Sequence, residues 1–429
     1  MALSKNAKKL IKMICVTVIA LIVYRFGAFI KMPFVKVSYS SDSSSLFGFL
    51  DVFTGGALSN ISVMCLGISP YITASIVIQL LQMDIIPTLK EWSEEGEEGR
   101  SKLNQLTKYI GLGLAFVQGL TIVVGLYLSG GDYYFDTTTV NTSFFLYAYL
   151  AIVATAGTAF ALWLAEKITR HGVGNGTSML IVAGILAAFP QMIGTLSKAY
   201  LDSSAETYAV WKFIVILLLL LLIILGVVFM EGAQRKIPVQ YANRPAAAQF
   251  SGKNDSNIPI KLNSASVIPV IFAATLMSIP TTILSIAGSD TSSGFAGFIH
   301  NLFTTSKPLG FALYIILIFV FSFFYSFLQM NPEKMAENLQ KNNAYVPGYR
   351  PGEETASYIS RVLFKITVVG ATYLAVVAAL PIIISWIFTE ASSVSIGGTS
   401  IIIIIGVAIE TVKQLKVTTQ EQTYKGFLD

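Results

Sequence analysis

The residues that could support metal or histidine-based nucleophile chemistry are few: two histidines, two cysteines and 24 carboxylates in 429 residues. His171 and His300 lie in predicted loops on opposite sides of a membrane, so they assemble neither a metal cluster nor a triad. Cys15 and Cys65 are far apart, in or beside apolar runs, and offer no CxxC pair. GVGNG at Gly172 to Gly176 lacks the spacing and strand context of a dinucleotide fingerprint, and no Walker A or HExxH sequence occurs. An intramembrane protease needs a nucleophile with a base, or paired aspartates, and Asp84 at a helix edge is the one aspartate in the apolar segments. Arg25, Lys212 and Glu410 could couple a transporter to protons or ions. Each also sits near a predicted helix end, where a long side chain can reach the interface. The pattern argues against an enzyme and describes a pathway lined without charges, which is unusual for a small-solute carrier.

The elements that must position these residues are membrane helices. Hydrophobic residues make up 54% of the chain and charged residues 12%, against roughly 25% charged in soluble proteins. Mean hydropathy is +0.67. A bilayer core of about 30 Å takes about 20 apolar helical residues, and the sequence predicts ten such spans, near 10–30, 68–86, 109–128, 143–165, 177–193, 208–230, 265–287, 309–330, 362–388 and 397–415. The run FIVILLLLLLIILGVVFM, 213–230, contains no polar side chain, whereas the second, fifth and tenth spans are short or interrupted by Thr, Ser, Gly and Pro. The first run follows Lys5, Lys8, Lys9 and Lys12 without a small-residue cleavage site and is expected to be a retained span.

Basic residues alternate from loop to loop. They collect at the amino terminus, at Lys90, Arg100, Lys102 and Lys108, at Lys167 and Arg170, and in 231–264, 331–360 and the carboxy-terminal tail. The intervening loops hold only Lys31, Lys36, Lys198 and Lys307. By the positive-inside rule both termini are expected in the cytoplasm. The segments 231–264 and 331–360 are longer than charge anchors need and mix Pro, Gly, aromatic and charged residues, as in YVPGYRPGEE. Folded hairpins that dock a cytosolic partner are expected there, the simpler alternative being orientation anchors.

Between the first two spans, a short apolar segment near Phe47 to Phe53 precedes the Gly55–Gly56 break, and an apolar run interrupted by Gly67 and Pro70 follows. A half-helix of that length is tolerated at membrane depth only when surrounded by protein or lining a cavity. The sequence closely resembles the SecY family of protein-conducting channels. The resemblance rests on GGALSNISVMCLGISPYITASIVIQLLQ, EGEEGRSKLNQLTKYI, GVGNGTSMLIVAGI, QRKIPVQYANR, IPIKLNSASVIPVIFA, NPEKMAENLQKNNAYVPGYRPGEETASYISRV and IGGTSIIIIIGVAIETVKQL, in family order over nearly the whole chain.

What the resemblance implies is an all-α polytopic membrane protein. Ten transmembrane helices form two inverted five-helix halves, 1–200 and 201–429, around a central pore, with a re-entrant plug half-helix at about 47–60. It implies a pore ring of Ile68, Ile72, Thr177, Ile181, Ile271 and Ile403, an apolar constriction that closes by dewetting. Thr177 departs from the aliphatic residue more usual there, and core packing is the competing role for each isoleucine. It implies a plug with Phe47 and Phe53, hinged at Gly55 and Gly56. A lateral gate is implied with Thr73 and Ile279 facing it and Gln79 and Gln118 nearby, where interhelical hydrogen bonds or ordinary packing can operate. Arg235, Lys236, Arg244 and Arg350 match docking positions for the motor ATPase SecA or the ribosome. An arginine between Pro347 and Pro351 is preorganised to meet a carboxylate or phosphate with two hydrogen bonds, though contact with anionic lipid is also open. The resemblance further implies SecE and SecG as partner subunits, preproteins and signal sequences as substrates, no cofactor, and a bacterial plasma membrane. Two other readings stay open: an accessory paralogue serving few substrates, and a small-solute secondary transporter.

Overall fold

The computed structural model describes residues 5–35, 51, 54–82, 86–134, 144–197, 209–241, 256–265, 267–286, 294–305, 307–387 and 392–425. Its helices are α1 (Lys5–Gly27), α2 (Ser69–Leu81), α3 (Pro87–Glu94), α4 (Glu97–Tyr134), α5 (Phe144–His171), α6 (Gly176–Ser197) and α7 (Ala209–Gly232), followed by α8 (Ile268–Ile286), α9 (Gly294–Phe303), α10 (Pro308–Gln329), α11 (Pro332–Lys341), α12 (Glu353–Ile387) and α13 (Ser392–Lys425). Each apolar run of the sequence overlaps one of these helices. Six of them carry stretches long and apolar enough to cross a bilayer, and shorter apolar helices occupy Ser69–Leu81, Gly176–Pro190 and Ile268–Met277. The chain is therefore a multi-pass membrane protein.

Helix starts follow from local chemistry. Pro308 and Pro332 open α10 and α11, where a missing backbone N–H costs nothing. Asn331 caps α11, its Oδ1 accepting from the N–H groups of Glu333 at 3.1 Å and Lys334 at 3.2 Å. On α7 the buried residues Ile216, Ile223 and Val227 follow helical spacing, while Leu218, Leu221 and Phe229 stand exposed. A helix that exposes such an apolar face suits lipid as its solvent.

Helix packing repeats itself along the chain. In a first series, α1 lies against α5 and α6, α2 against α4, α4 against α5, and α5 against α6. In a second, α7 lies against α12 and α13, α8 against α10, α10 against α12, and α12 against α13. With the series aligned as α1, α2, α4, α5, α6 and α7, α8, α10, α12, α13, these pairs correspond one to one. The series meet where α6 packs on α13 and where α4 approaches α8.

The two long basic loops are folded and joined. Strand β1 (Gln234–Tyr241) pairs antiparallel with β2 (Ser256–Lys261), Gln234 opposite Lys261 and Val239 opposite Ser256. On its other edge β1 pairs with β3 (Ala344–Tyr345), Gln240 opposite Tyr345. Ile237, Val239 and Ile260 bury one face of this sheet against Leu339, Val346, Ile359 and Leu363. The hairpin root is fixed where Asn263 Nδ2 donates to the buried Glu231 Oε1 at 2.6 Å. The expectation of a folded hairpin therefore holds for 231–264, whereas 331–360 is built from α11 and the two-residue β3, which adds to the hairpin's edge so that the loops form a single platform.

Candidate functional site

The segment 55–68, which includes the end of the expected half-helix and the apolar run leading to α2, is a chain of turns. Helix α2 is consequently only 13 residues long, about 20 Å at about 1.5 Å per residue, and cannot cross about 30 Å of hydrocarbon alone. The turns precede it in the chain and are packed inside the bundle. Ala57 is 0% exposed, and Leu58, Ile61, Cys65 and Leu66 are buried against residues of α4 and α5. Irregular backbone at membrane depth must satisfy its own polar groups, and here it does so locally. The N–H of Gly56 donates to the Asp51 carbonyl at 2.9 Å, that of Ser59 to Asp51 Oδ1 at 2.7 Å, and that of Ser62 to the Ala57 carbonyl at 2.9 Å. The Met32 N–H donates to the Ile61 carbonyl, and the Val63 N–H to the Ile30 carbonyl, both at 2.9 Å, tying the segment to the chain after α1.

Glycines make this close approach possible. Gly55 and Gly56 have φ of 68° and 83°, the left-handed region that favours glycine. A Cβ on Gly157 of α5 would lie 1.9 Å from the Val63 carbonyl oxygen, so only glycine lets the turns rest on that helix. Phe47 and Phe53 lie outside the described residues.

Of the expected pore residues, Ile181 of α6, Ile271 of α8 and Ile403 of α13 converge in one apolar cluster. Ile68, just before α2, is buried with residues of α1 and α5, and Ile72 packs against both that cluster and the one holding Phe272 and Tyr325. Thr177 lies four residues before Ile181 on the same helix. Its hydroxyl donates to Asn175 Oδ1 at 2.7 Å in the first turn of α6, a local capping bond. The nearby GVGNG turn is a packing device: added Cβ atoms would lie 2.5 Å from Thr17 Oγ1 at Gly172 and 1.8 Å from the Ala165 carbonyl oxygen at Gly176.

The expected gate residues divide in the same way. Thr73 donates to the Ser69 carbonyl of its own helix at 3.2 Å, and Gln118 is half-buried on α4. Ile279 falls on α8, with its side chain outside the described residues. Gln79 bridges the series: Tyr325 of α10 donates its hydroxyl to Gln79 Oε1 at 2.8 Å, while Gln79 Nε2 donates to Ser75 Oγ at 3.3 Å. Tyr325 also packs on Phe272 of α8, ring centroids 5.2 Å apart. Sequence reasoning missed Tyr325. The available signal was a phenol within an almost wholly apolar span, which must find a hydrogen-bond partner when buried.

Arg235 and Lys236 are exposed on β1, and Arg244 lies outside the described residues. The exposed Arg350 is held by its backbone, its N–H donating to Glu354 Oε2 at 3.2 Å and its carbonyl accepting from Thr355 Oγ1 at 2.7 Å. Beside it Tyr349 stacks on Tyr358 at 4.2 Å. Tyr345 donates to Gln240 Oε1 at 2.9 Å, so the arginines of both loops share one rigid support. Arg25 also differs from expectation. Its guanidinium is half-buried and donates to the Gly55 carbonyl, with Phe29 beneath it at 4.8 Å, where the sequence suggested a side chain reaching for the interface.

The chain resembles known proteins over almost its whole length. It is 43% identical to the protein translocase subunit SecY of Bacillus licheniformis over 416 residues, 96% of this chain and 95% of that one. A solved SecY structure concerned with the plug domain, the closed state of the translocation channel and the membrane seal superposes with a TM-score of 0.64 at 19% identity, covering 95% of this chain and 92% of the other. Sec61 in the canine ribosome-channel complex from the endoplasmic reticulum gives 0.63 at 18% identity, with the same coverages. The model of the SecY family matches residues 62–412, and the chain belongs to that family.

Proposed function

We propose that this chain is the channel-forming subunit of the Sec translocon, conducting unfolded preproteins across the bacterial plasma membrane and releasing apolar segments sideways into lipid. The observation that carries this is the 43% identity to a protein translocase subunit SecY across 96% of the chain. The protein acts as a protein-conducting channel rather than as a catalyst. Energy for transport comes from outside the chain, through SecA, the ribosome or the proton gradient.

The finer reading has ten transmembrane helices in two inverted halves, 1–200 and 201–429, with both termini cytoplasmic. The repeated packing of the two helix series supports the division. Ile68, Ile72, Ile181, Ile271 and Ile403 form the seal, an apolar constriction that a passing chain wets without being held. Thr177 sits at its rim with its hydroxyl already bonded. Residues 47–60 act as the plug. Helices α2 and α4 separate from α8 and α10 at the lateral gate, with α6 against α13 as the hinge side. Arg350, Arg235 and Lys236 present guanidinium and ammonium groups from one platform to SecA or the ribosome, and SecE and SecG complete the complex.

The test is ATP-dependent transport of a preprotein into proteoliposomes holding this chain with its matching SecE and SecG, with matched SecA added. Protease-protected product is expected, and Arg350→Glu should abolish it while the complex still assembles. An intact complex that protects none of several unrelated preproteins would overturn the general-channel reading in favour of an accessory paralogue.

A further inference from the structure

A charged side chain joins the first helix to the buried turns, and the contact falls on the residue where the chain bends. Arg25 donates from its guanidinium to the carbonyl of Gly55. Gly55 is wedged between two helices: a Cβ there would lie 2.9 Å from Arg25 Nη1 and 2.8 Å from the carbonyl oxygen of Gly184 on α6. Gly184 sits one turn beyond Ile181, so the bend rests directly above a pore-facing position. Gly56, by contrast, has open space around it, its nearest neighbour being Ser59 Oγ at 3.8 Å. One glycine of the pair is clamped between helices, and the next is held within the segment itself, its N–H donating to the Asp51 carbonyl at 2.9 Å and its carbonyl accepting from the Asn60 N–H at 3.2 Å and from Ser59 Oγ at 3.1 Å. Tyr24, adjacent on α1, adds a second point of contact, its hydroxyl lying 3.3 Å from where a Gly67 Cβ would be. Phe29 supports the guanidinium from below, 4.8 Å from ring centre to Cζ, an arrangement that favours arginine over lysine.

We propose that Arg25 is the positioning residue of the plug, a latch that holds the Gly55 hinge against α6 in the resting channel and must release for the plug to move. This rests on reading 47–60 as the plug. A hydrogen bond from a charged donor is among the stronger single contacts in a protein, so losing it should raise the population with a displaced plug by about tenfold or more. Arg25→Lys, which keeps a charge and a donor without the planar fork, should restore part of the seal.

The experiment measures resting ion flux through the assembled complex in proteoliposomes, without SecA, for wild type, Arg25→Gln, Arg25→Lys, deletion of 47–60, and the deletion combined with Arg25→Gln. Arg25→Gln is expected to leak about tenfold more than wild type, Arg25→Lys less, and the combined variant no more than the deletion alone. A leaky deletion with a tight Arg25→Gln channel would overturn the latch and leave the plug in place. So would a combined variant whose leak exceeds that of the deletion by the full Arg25→Gln factor. A deletion that does not leak would overturn the plug reading itself. If Arg25→Gln does not assemble, Gly55→Ala attacks the same contact from the other side, and a wild-type seal in that variant would refute the proposal.

Discussion

Replacing Tyr325 by Phe removes a single hydroxyl that bridges the two helix series. The bond at stake runs 2.8 Å from the Tyr325 hydroxyl to Gln79 Oε1. Phenylalanine keeps the ring, so the contacts with Phe272 at 5.2 Å and Phe324 at 5.8 Å remain and no cavity forms. Gln79 also keeps its bond to Ser75. The loss is therefore that of one neutral hydrogen bond, about 1 kcal/mol in general and about 0.6 kcal/mol on average between membrane helices. If α2 and α10 part when the lateral gate opens, the open-to-closed ratio should rise about three- to fivefold. A buried methylene contributes about 0.8 kcal/mol, so the change is equivalent to about one methylene of a signal sequence. The assay is transport of preproteins whose signal core is weakened in single Ile→Val steps. Tyr325→Phe should carry the once-weakened signal as efficiently as wild type carries the original. Gln79→Leu should give a similar shift, and the double variant little more than either alone. An unchanged dependence on signal hydrophobicity, or full additivity in the double variant, would refute the bridge.

Other positions give sharper structural contrasts. Gly157→Ala places a Cβ where the Val63 carbonyl oxygen now sits, 1.9 Å away, and should lower the yield of assembled complex; Gly113→Ala on α4, with nothing within 4 Å, should leave yield unchanged. Thr17→Val removes the acceptor of the buried Val173 N–H, now 2.9 Å from Thr17 Oγ1. It should cost about 1–3 kcal/mol, seen as a lower thermal midpoint of the purified complex, and Thr17→Ser should restore it. Glu231→Leu leaves Asn263 Nδ2 without its 2.6 Å partner, loosening the hairpin root. Faster hydrogen exchange in 234–241 is expected, against an unchanged rate in α7.

The helices were legible because membrane spans announce themselves by length and polarity alone, and the expected span 208–230 became α7, Ala209–Gly232, almost residue for residue. The folded loops were legible too, since the mix of Pro, Gly, aromatic and charged residues in 231–264 and 331–360 has no use in a bare charge anchor. What escaped were contacts between distant parts of the chain. Nothing local to Gln79 points to Tyr325, 246 positions away. Arg25 sits near a helix end, where reaching the interface is the ordinary outcome, and only the fold shows that Gly55 comes to meet it. The turns at 55–68 are apolar enough to suggest helix, and their true conformation is set by Gly157 and by the backbone partners that α1 supplies. GVGNG, which lacks a dinucleotide fingerprint's spacing, proved to serve tight packing, at Gly172 against Thr17 and at Gly176 against Ala165.

The most direct test of the central claim asks where a moving chain travels. A preprotein stalled in mid-transfer should cross-link to a photoreactive residue placed at Ile403, Ile181 or Ile271, which share one cluster on three helices, and not to one at Leu221, exposed on α7. Cross-links at all three positions and none at Leu221 are predicted. A stalled chain that is protected inside the vesicle yet labels Leu221 and none of the three isoleucines would contradict the account.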